Sequence, residues 1–157
     1  PGVIITPNGP MALELNARFG DPEAQSYMRI LKTDLADIFL ACINGNLKNY
    51  SIEWVEQFVC CIIAATEDYP GKHKKGIIID GLAAFDADPC VAIFQSGTTI
   101  SDCGIVVNSR GRVLAVSAIG NDLNSAISRA YEALEKIKFE GMQFRTDIGR
   151  KALMYHT

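Results

Sequence analysis

Residues 13–19 alternate between apolar and polar side chains, the pattern of an extended strand with two different faces. Two apolar runs flank Pro-Asn-Gly-Pro at residues 7–10, which predicts a β-hairpin that turns at Asn8-Gly9. Beyond the turn, side chains at every second position share a face. One face therefore carries Glu14, Asn16 and Arg18. The opposite face is expected to pack on a core and carries Leu13, Leu15, Ala17 and Phe19.

Two helices are predicted after the hairpin. Asp21, Pro22 and Glu23 suit a helix start, because Asp caps the free N–H groups, proline fits the first turn and a carboxylate favours the positive helix end. Thr33 is expected to cap the second helix, which ends at Asn44-Gly45. The apolar positions with helical spacing are Ala24, Tyr27, Met28 and Leu31, then Leu35, Ile38, Phe39, Cys42 and Ile43.

The pattern changes after about residue 51. A nearly continuous apolar run at residues 56–66 predicts a buried strand, and shorter strands are predicted at residues 76–79, 91–95, 104–107 and 112–119. The sequence from Asp122 to Ile137 has the 3.6-residue period of an amphipathic helix. We therefore predict an α+β fold with two parts, residues 1–51 and residues 52–157, the second a small β-rich domain packed against a helix.

Composition and charge favour a globular protein that acts on small molecules. The chain has 157 residues, of which 48% are hydrophobic and 21% charged. A net charge of -3 gives no electrostatic case for binding nucleic acid or an anionic membrane, and no apolar run reaches the roughly 18 residues of a membrane span. The five cysteines form no CxxC pair, which favours buried, reduced thiols in a cytoplasmic protein.

The polar face of the hairpin has the chemistry of a phosphoryl-transfer site. A carboxylate and an amide at Glu14 and Asn16 offer the oxygen ligands that Mg²⁺ prefers, and Arg18 offers a planar set of donors for a phosphate. The helix that follows adds backbone N–H donors near an anion. On alternation alone, an ordinary solvent-exposed strand face is the favoured interpretation.

The segment LELNARFGDPEAQ, residues 13–25, resembles the part of ATP-grasp ligases in which a glutamate and an asparagine bind magnesium. Its continuation RFGDPE resembles the signature of the phosphoribosylamine-glycine ligase family. Further matches follow in order at residues 32–35, 69–71, 75–76, 96–98, 111–114, 139–141 and 145–149. The resemblance implies the C-terminal part of an ATP-grasp domain over residues 1–51 and the family's C-terminal domain over residues 52–157.

The resemblance also implies residue roles. Glu14 and Asn16 would bind Mg²⁺ or Mn²⁺, and Arg18 would stabilise the phosphoryl group during transfer. The substrate-binding residues would be Asp21, Pro22, Glu23 and Arg112. The reaction implied is the ATP-dependent ligation of glycine to 5-phosphoribosylamine through a glycyl phosphate, in purine biosynthesis. One departure is Arg110-Gly111-Arg112, where the family commonly has Gly-Gly-Arg.

The chain opens inside a hairpin and without an initiator methionine, so we expect a C-terminal fragment that is inactive without its N-terminal part. Two alternatives stay open: another ATP-grasp ligase or carboxylase, which would share the same polar face, and a non-catalytic binding module built on the second domain. The basic run at residues 72–75 is interpreted as a solvated loop and Ser96-Gly97-Thr98 as a turn. His73 and His156 lack the spacing of metal ligands.

Overall fold

The computed structural model describes residues 2–154, in which antiparallel strands and helices confirm the predicted α+β class. The elements are β1 (Gly2–Thr6), β2 (Gly9–Glu14), α1 (Glu23–Ile30), α2 (Leu35–Ile43), β3 (Phe58–Thr66), β4 (Val91–Gln95), β5 (Thr98–Ile100), β6 (Val106–Asn108), β7 (Arg112–Gly120), α3 (Leu123–Lys136), β8 (Met142–Gln143) and α4 (Arg150–Leu153). Short 3₁₀ helices cover Leu47–Asn49 and Leu82–Phe85. No helix in the described part of the chain has the length and apolar character needed to cross a bilayer.

The core lies on a four-stranded antiparallel sheet with the order β4-β7-β3-β8. The two central strands lie where the sequence predicts a buried strand at residues 56–66 and a shorter strand at residues 112–119. Both are largely apolar, because strands covered on both faces need apolar side chains in succession. The paired core residues are Cys60 opposite Ala118, Ile62 opposite Val116, and Ala64 opposite Leu114.

Helix α3 covers one face of this sheet, which confirms the predicted amphipathic helix. Asp122 caps it: its carboxylate accepts a hydrogen bond from the Ser125 N–H at 2.7 Å, and the Ser125 hydroxyl accepts one from the Asp122 N–H at 3.2 Å. The residues that the helix buries against the sheet are Ala126, Ala130, Ala133 and Leu134. Small alanines let the helix approach closely, and Leu134 fills the remaining space.

Helix α1 packs on the opposite face of the sheet. The Ser117 hydroxyl of β7 donates a hydrogen bond to the Gln25 carbonyl at 3.0 Å, and Arg29 donates one to the Pro89 carbonyl at 2.7 Å. These contacts fix residues from before the predicted boundary at residue 51 onto the sheet that follows it. The turn that precedes α1 is thereby held beside β7. The two-domain division stays a prediction.

The hairpin forms, but its polar face ends early. Its two-residue turn is Pro7-Asn8, because Thr6 pairs with Gly9, one residue before the predicted turn. Strand β2 stops at Glu14, whose partner Gly2 is the first described residue of β1, and residues 15–20 are irregular. The prediction that Asn16 and Arg18 continue the strand is therefore wrong: the chain bends where the described ladder ends.

The apolar face of the hairpin is exposed among the described residues. Leu13 is 69% and Leu15 83% exposed, so the prediction that this face packs on a core is wrong for the part of the chain that the structure describes. Alternation shows which side chains share a face but does not show what covers it.

Two predicted helix caps are also wrong. Pro22 occupies the N-cap position of α1 and the Asp21 carboxylate makes no cap bond, because a guanidinium and an amide of the same site bind it instead. Thr33 bonds with the backbone of Glu53, and Asp34 caps α2 by accepting the Ala36 N–H at 2.7 Å. The predicted end of α2 at Asn44-Gly45 is confirmed, and Gly45 has a φ of +65°.

The shorter elements of the second half differ in part from the prediction. Residues 76–79 contain one isolated bridge, at Ile78, instead of a strand, and β6 begins at Val106, two residues after the predicted start. The structure adds β5, β8 and α4, which the hydrophobic pattern does not predict. These elements have two to four residues, too few for a period to be recognised.

The five cysteines are free thiols in different environments. Cys60 is buried as expected, but Cys42 and Cys103 are exposed, which corrects the prediction of buried thiols for those two. Burial raises the pKa of Cys60 to about 11. Burial, with smaller contributions from Cys60 and Asp21, raises the pKa of Cys61 to about 12. Both thiols therefore stay protonated at neutral pH and are poor nucleophiles there.

Candidate functional site

Four of the predicted site residues lie around the turn that precedes α1. Asn16, Arg18 and Glu23 line a cavity of about 170 Å³, here called the Asn16 cavity, together with Gly2, Phe19, Gly20 and Tyr27. The Asn16 amide donates a hydrogen bond to Oε1 of Glu14 at 2.9 Å. The structure therefore brings Glu14 to the edge of the same cavity, although only Glu14 lies on a strand.

The Arg18 side chain is held within this group. Its Nη1 atom donates a hydrogen bond to the Phe19 carbonyl at 2.6 Å, which turns the guanidinium back over the bend at residues 17–18. The guanidinium is exposed and has no carboxylate partner in residues 2–154. It therefore keeps its full charge and further N–H donors for an anion in the cavity.

The donor set at Glu14 and Asn16 fits a hard divalent cation. A carboxylate oxygen and an amide oxygen suit Mg²⁺ or Mn²⁺, which commonly take one or two side-chain oxygens and complete their coordination with water and phosphate. Within residues 2–154, no three His, Cys, Asp or Glu side chains are grouped as a metal site.

Asp21 and Arg112 join the turn before α1 to the central sheet. Nη2 of Arg112 lies 3.0 Å from Oδ2 of Asp21, and Nη1 donates to the Asp21 carbonyl at 3.2 Å. Gln25 donates to Oδ1 of Asp21 at 2.7 Å. Both charged side chains are about a third exposed, 39% and 32%, so the pair contributes at most about 1 kcal/mol to stability. Its main effect is to fix the turn, with Pro22 and Glu23, beside the first residue of β7.

A second cavity lies on the other side of Asp21. It has a volume of about 230 Å³, is here called the Arg110 cavity, and is lined by Asp21, Tyr69, Ser96, Arg110, Gly111 and Arg112. Four separate stretches meet here: the turn before α1, the loop after β3, the turn after β4 and the turn before β7. The turn residues Asp21 and Glu23 thus line two neighbouring cavities, with Asp21 in the Arg110 cavity and Glu23 in the Asn16 cavity.

Close backbone packing shapes the Arg110 cavity. The Gly97 carbonyl accepts hydrogen bonds from the N–H groups of Ser109 at 2.7 Å and Arg110 at 3.2 Å, and the Gly97 N–H donates to Val113 at 2.8 Å. A Cβ atom at Gly97 would collide with the Arg112 carbonyl oxygen, and one at Gly111 would lie 2.7 Å from the Tyr69 ring. Glycine is therefore required at both positions for the turns to meet. The turn predicted at residues 96–98 is confirmed at Ser96-Gly97 and leads directly into β5.

A larger cavity of about 390 Å³ adjoins Tyr69 and Arg112 and is here called the Tyr69 cavity. Gln143 fixes the backbone at the edge of this cavity, because its side-chain amide donates hydrogen bonds to the carbonyls of Thr66 at 2.7 Å and Tyr69 at 3.2 Å. The hydrogen-bonded partner Asp147 raises the pKa of Arg145, and Arg145 lowers the pKa of Asp147. The residues that line the cavity are Ile63, Ala65, Tyr69, Arg112, Gln143, Phe144 and Arg145.

Sequence reasoning did not select Tyr69, Ser96, Gln143 or Arg145 as site residues. Tyr69, Ser96 and Arg145 lie in stretches that match the family pattern, but nothing in their spacing shows that the chain brings them together. Of the basic run at residues 72–75, Lys74 pairs with Glu140 at 3.3 Å and His73 lies against Gly111. His156 lies outside the described residues.

Comparisons with known proteins give one consistent match. The family model described as "Phosphoribosylglycinamide synthetase, C domain" matches residues 59–151. The chain is 43% identical over 147 residues to the phosphoribosylamine-glycine ligase of Caldanaerobacter subterraneus, covering 94% of this chain and 34% of that protein. It is also 43% identical over 141 residues to the bifunctional purine biosynthetic protein purD of Dictyostelium discoideum, covering 90% of this chain and 17% of that protein.

A solved structure agrees with these matches. The crystal structure of the phosphoribosylamine-glycine ligase from Thermotoga maritima superposes with a TM-score of 0.68 at 29% sequence identity, covering 93% of this chain and 35% of that one. The chain thus spans about a third of the length of the single-function proteins it matches. The family match extends across all residues that line the Tyr69 cavity and across those that line the Arg110 cavity except Asp21.

Proposed function

Because the chain belongs to the phosphoribosylglycinamide synthetase C-domain family, we propose that it is the C-terminal part of an enzyme that ligates glycine to 5-phosphoribosylamine with ATP. The products are glycinamide ribonucleotide, ADP and phosphate, in the cytoplasmic synthesis of purines. Residues 1–51 close an ATP-grasp domain, and residues 52–157 form the C-terminal domain. The remaining part of the active site comes from residues that precede this chain in the complete enzyme.

One observation carries the proposal. The Asn16 cavity and the Arg110 cavity share the turn at residues 20–23, so that a phosphate-binding group of residues lies directly beside the domain whose family is established. Arg112 holds the turn in place by its ion pair with Asp21. A reaction that uses a nucleotide and a second phosphorylated substrate needs two such neighbouring sites.

The proposed reaction has two steps. A carboxylate oxygen of glycine attacks the γ-phosphorus of ATP and ADP leaves, which gives glycyl phosphate. The amine of phosphoribosylamine then attacks the acyl carbon, phosphate leaves with the former carboxylate oxygen, and the nitrogen loses a proton as the amide forms. Both steps depend on positioning and charge neutralisation rather than on a protein nucleophile.

Each proposed site residue has a defined part in these steps. Arg18 binds the equatorial oxygens of the phosphoryl group during transfer, since its guanidinium is unpaired and reaches the cavity. Glu14 and Asn16, whose side chains are joined by a hydrogen bond of 2.9 Å, would hold Mg²⁺ or Mn²⁺. The cation, when bound, neutralises charge on the nucleotide phosphates. Asp21, Pro22, Glu23 and Arg112 form the substrate-side wall.

The test is a substrate-dependence assay on the complete protein. We expect ADP release that requires both glycine and phosphoribosylamine, with glycinamide ribonucleotide detected by mass spectrometry. The 157-residue chain alone is the control, and we expect it to release no ADP, because it holds only part of the phosphate-binding site. ADP release that requires bicarbonate instead of glycine would identify a carboxylase. Full activity after Glu14→Ala or Asn16→Ala would favour a role as a binding module.

A further inference from the structure

Arg110 differs from Arg112 and Arg145, the other arginines that line the Arg110 and Tyr69 cavities, because it has no ionic partner among residues 2–154. Arg112 is paired with Asp21 and Arg145 with Asp147. Among residues 2–154, no carboxylate lies within ion-pair distance of the Arg110 guanidinium, which is exposed at the mouth of the Arg110 cavity. An unpaired guanidinium at a cavity mouth is a ready donor for an external anion.

The lining of the Arg110 cavity carries a net positive charge. It contains two guanidinium groups and one carboxylate, that of Asp21, and the carboxylate is already engaged by Arg112 and Gln25. The hydroxyl groups of Ser96 and Tyr69 add neutral hydrogen-bond donors. Net positive charge together with hydroxyl donors selects a small, highly charged anion of the phosphate monoester class.

The backbone that carries Arg110 is fixed before any ligand arrives. The N–H groups of Ser109 and Arg110 both donate to the Gly97 carbonyl, and the Cβ atom of Arg110 lies 2.8 Å from the position that a Cβ of Gly97 would take. The turn therefore has little freedom, and Arg110 lines the cavity from this fixed position. A pre-positioned donor loses less entropy on binding than one on a flexible loop.

The volume and position of the Arg110 cavity limit which substrate can place its phosphate group there. A volume of about 230 Å³ lies below the range of about 300–1,000 Å³ that drug-sized ligands fill, so it suits a phosphate with part of a sugar better than a nucleotide. The turn at residues 20–23 separates this cavity from the Asn16 cavity, to which the ATP phosphates are assigned. The Arg110 cavity is thus left for the second phosphorylated substrate.

We infer that Arg110 determines affinity for the phosphorylated amine substrate by binding its phosphate monoester in the Arg110 cavity. This inference rests on the proposed function for the identity of the substrate. The anion-binding role itself depends only on the charge and geometry of the cavity. Arg110 contacts the substrate phosphate, which is remote from the reacting amine, and so acts on binding and leaves the chemical step unchanged.

Ribose 5-phosphate is the probe, because it carries the phosphate and sugar without the reactive amine. In the complete protein, Arg110→Ala is expected to raise the inhibition constant of ribose 5-phosphate, measured against phosphoribosylamine, about tenfold, the effect of losing one charge-assisted hydrogen bond. The KM values for ATP and glycine should stay unchanged, and Arg110→Lys should keep most of the affinity. Arg150→Ala removes an equally exposed arginine that lines none of the three cavities and is the matched control.

Two results would overturn the inference while the proposed function stands. One is an unchanged inhibition constant in Arg110→Ala. The other is a rise in the KM for ATP of the same size, which would move Arg110 to the nucleotide site. Arg110→Gln, which keeps a polar hydrogen-bonding side chain but removes the charge, decides the case if the alanine variant folds poorly.

Direct titration separates the inference from the proposed function. If the complete protein shows no glycine ligation, the proposed function fails, and binding of ribose 5-phosphate and inorganic phosphate is measured by calorimetry. Binding by the unmodified protein that Arg110→Ala weakens about tenfold still supports the anion site. Equal binding by both proteins, or no binding by either, overturns it.

Discussion

Replacing Arg18 by alanine in the complete enzyme is expected to lower kcat about 10³-fold while the KM for ATP changes little. Arginines that bind the transferring phosphoryl group of phosphoryl-transfer enzymes contribute at least this factor, which corresponds to about 4 kcal/mol of transition-state stabilisation. The expectation depends on a guanidinium that lines the Asn16 cavity and has no carboxylate partner in the described structure. Steady-state kinetics with saturating glycine and phosphoribosylamine measure both constants.

Two further variants make the Arg18 result specific. Arg18→Lys keeps the charge but loses the planar pair of donors, so an intermediate kcat is expected. Arg150→Ala removes an exposed arginine from α4 and should leave kcat unchanged. A kcat within about threefold of the unmodified enzyme after Arg18→Ala, less than 1 kcal/mol, would remove Arg18 from phosphoryl transfer.

The largest expected effect on stability is at Leu134. Its side chain is fully buried between α3 and the central sheet, and truncation to alanine leaves a cavity that the packed alanines of α3 cannot fill. We expect Leu134→Ala to lower the free energy of unfolding by about 2–5 kcal/mol. Urea unfolding followed by circular dichroism measures the change.

Glu132→Ala in the same helix is the matched control. Glu132 is exposed, so this change should alter the free energy of unfolding by no more than about 0.5 kcal/mol. Equal effects of the two substitutions would contradict the packing of α3 on the sheet. The packing of α3 also bears on the candidate site, because α3 contacts β7 and β7 begins at Arg112.

The sequence was most informative where one physical requirement determines the side chains. Strands β3 and β7 are covered on both faces and so appear as long apolar runs, and α3 has one buried stripe and a local cap at Asp122. The caps at Asp21 and Thr33 failed for the opposite reason. Arg112 lies 91 residues from Asp21 along the chain. A charge-assisted contact between residues so far apart cannot be recognised from the sequence around either residue.

The residues of the candidate site were likewise predictable only where they lie close together in the sequence. Glu14, Asn16 and Arg18 lie near one another in the structure, through a bend after Glu14 rather than through the strand face that alternation predicts. The Arg110 cavity could not be predicted, because it is assembled from turns after β3, after β4 and before β7 that meet only through the sheet order. Spacing along the chain carries no information about that order.

Transfer of an isotope label tests the central claim most directly. The complete protein is supplied with glycine that carries oxygen-18 in its carboxylate, together with ATP and phosphoribosylamine, and the phosphate released is analysed by mass spectrometry. If this chain belongs to a ligase that activates glycine as an acyl phosphate, each phosphate formed carries one labelled oxygen. Formation of glycinamide ribonucleotide with unlabelled phosphate would contradict that account.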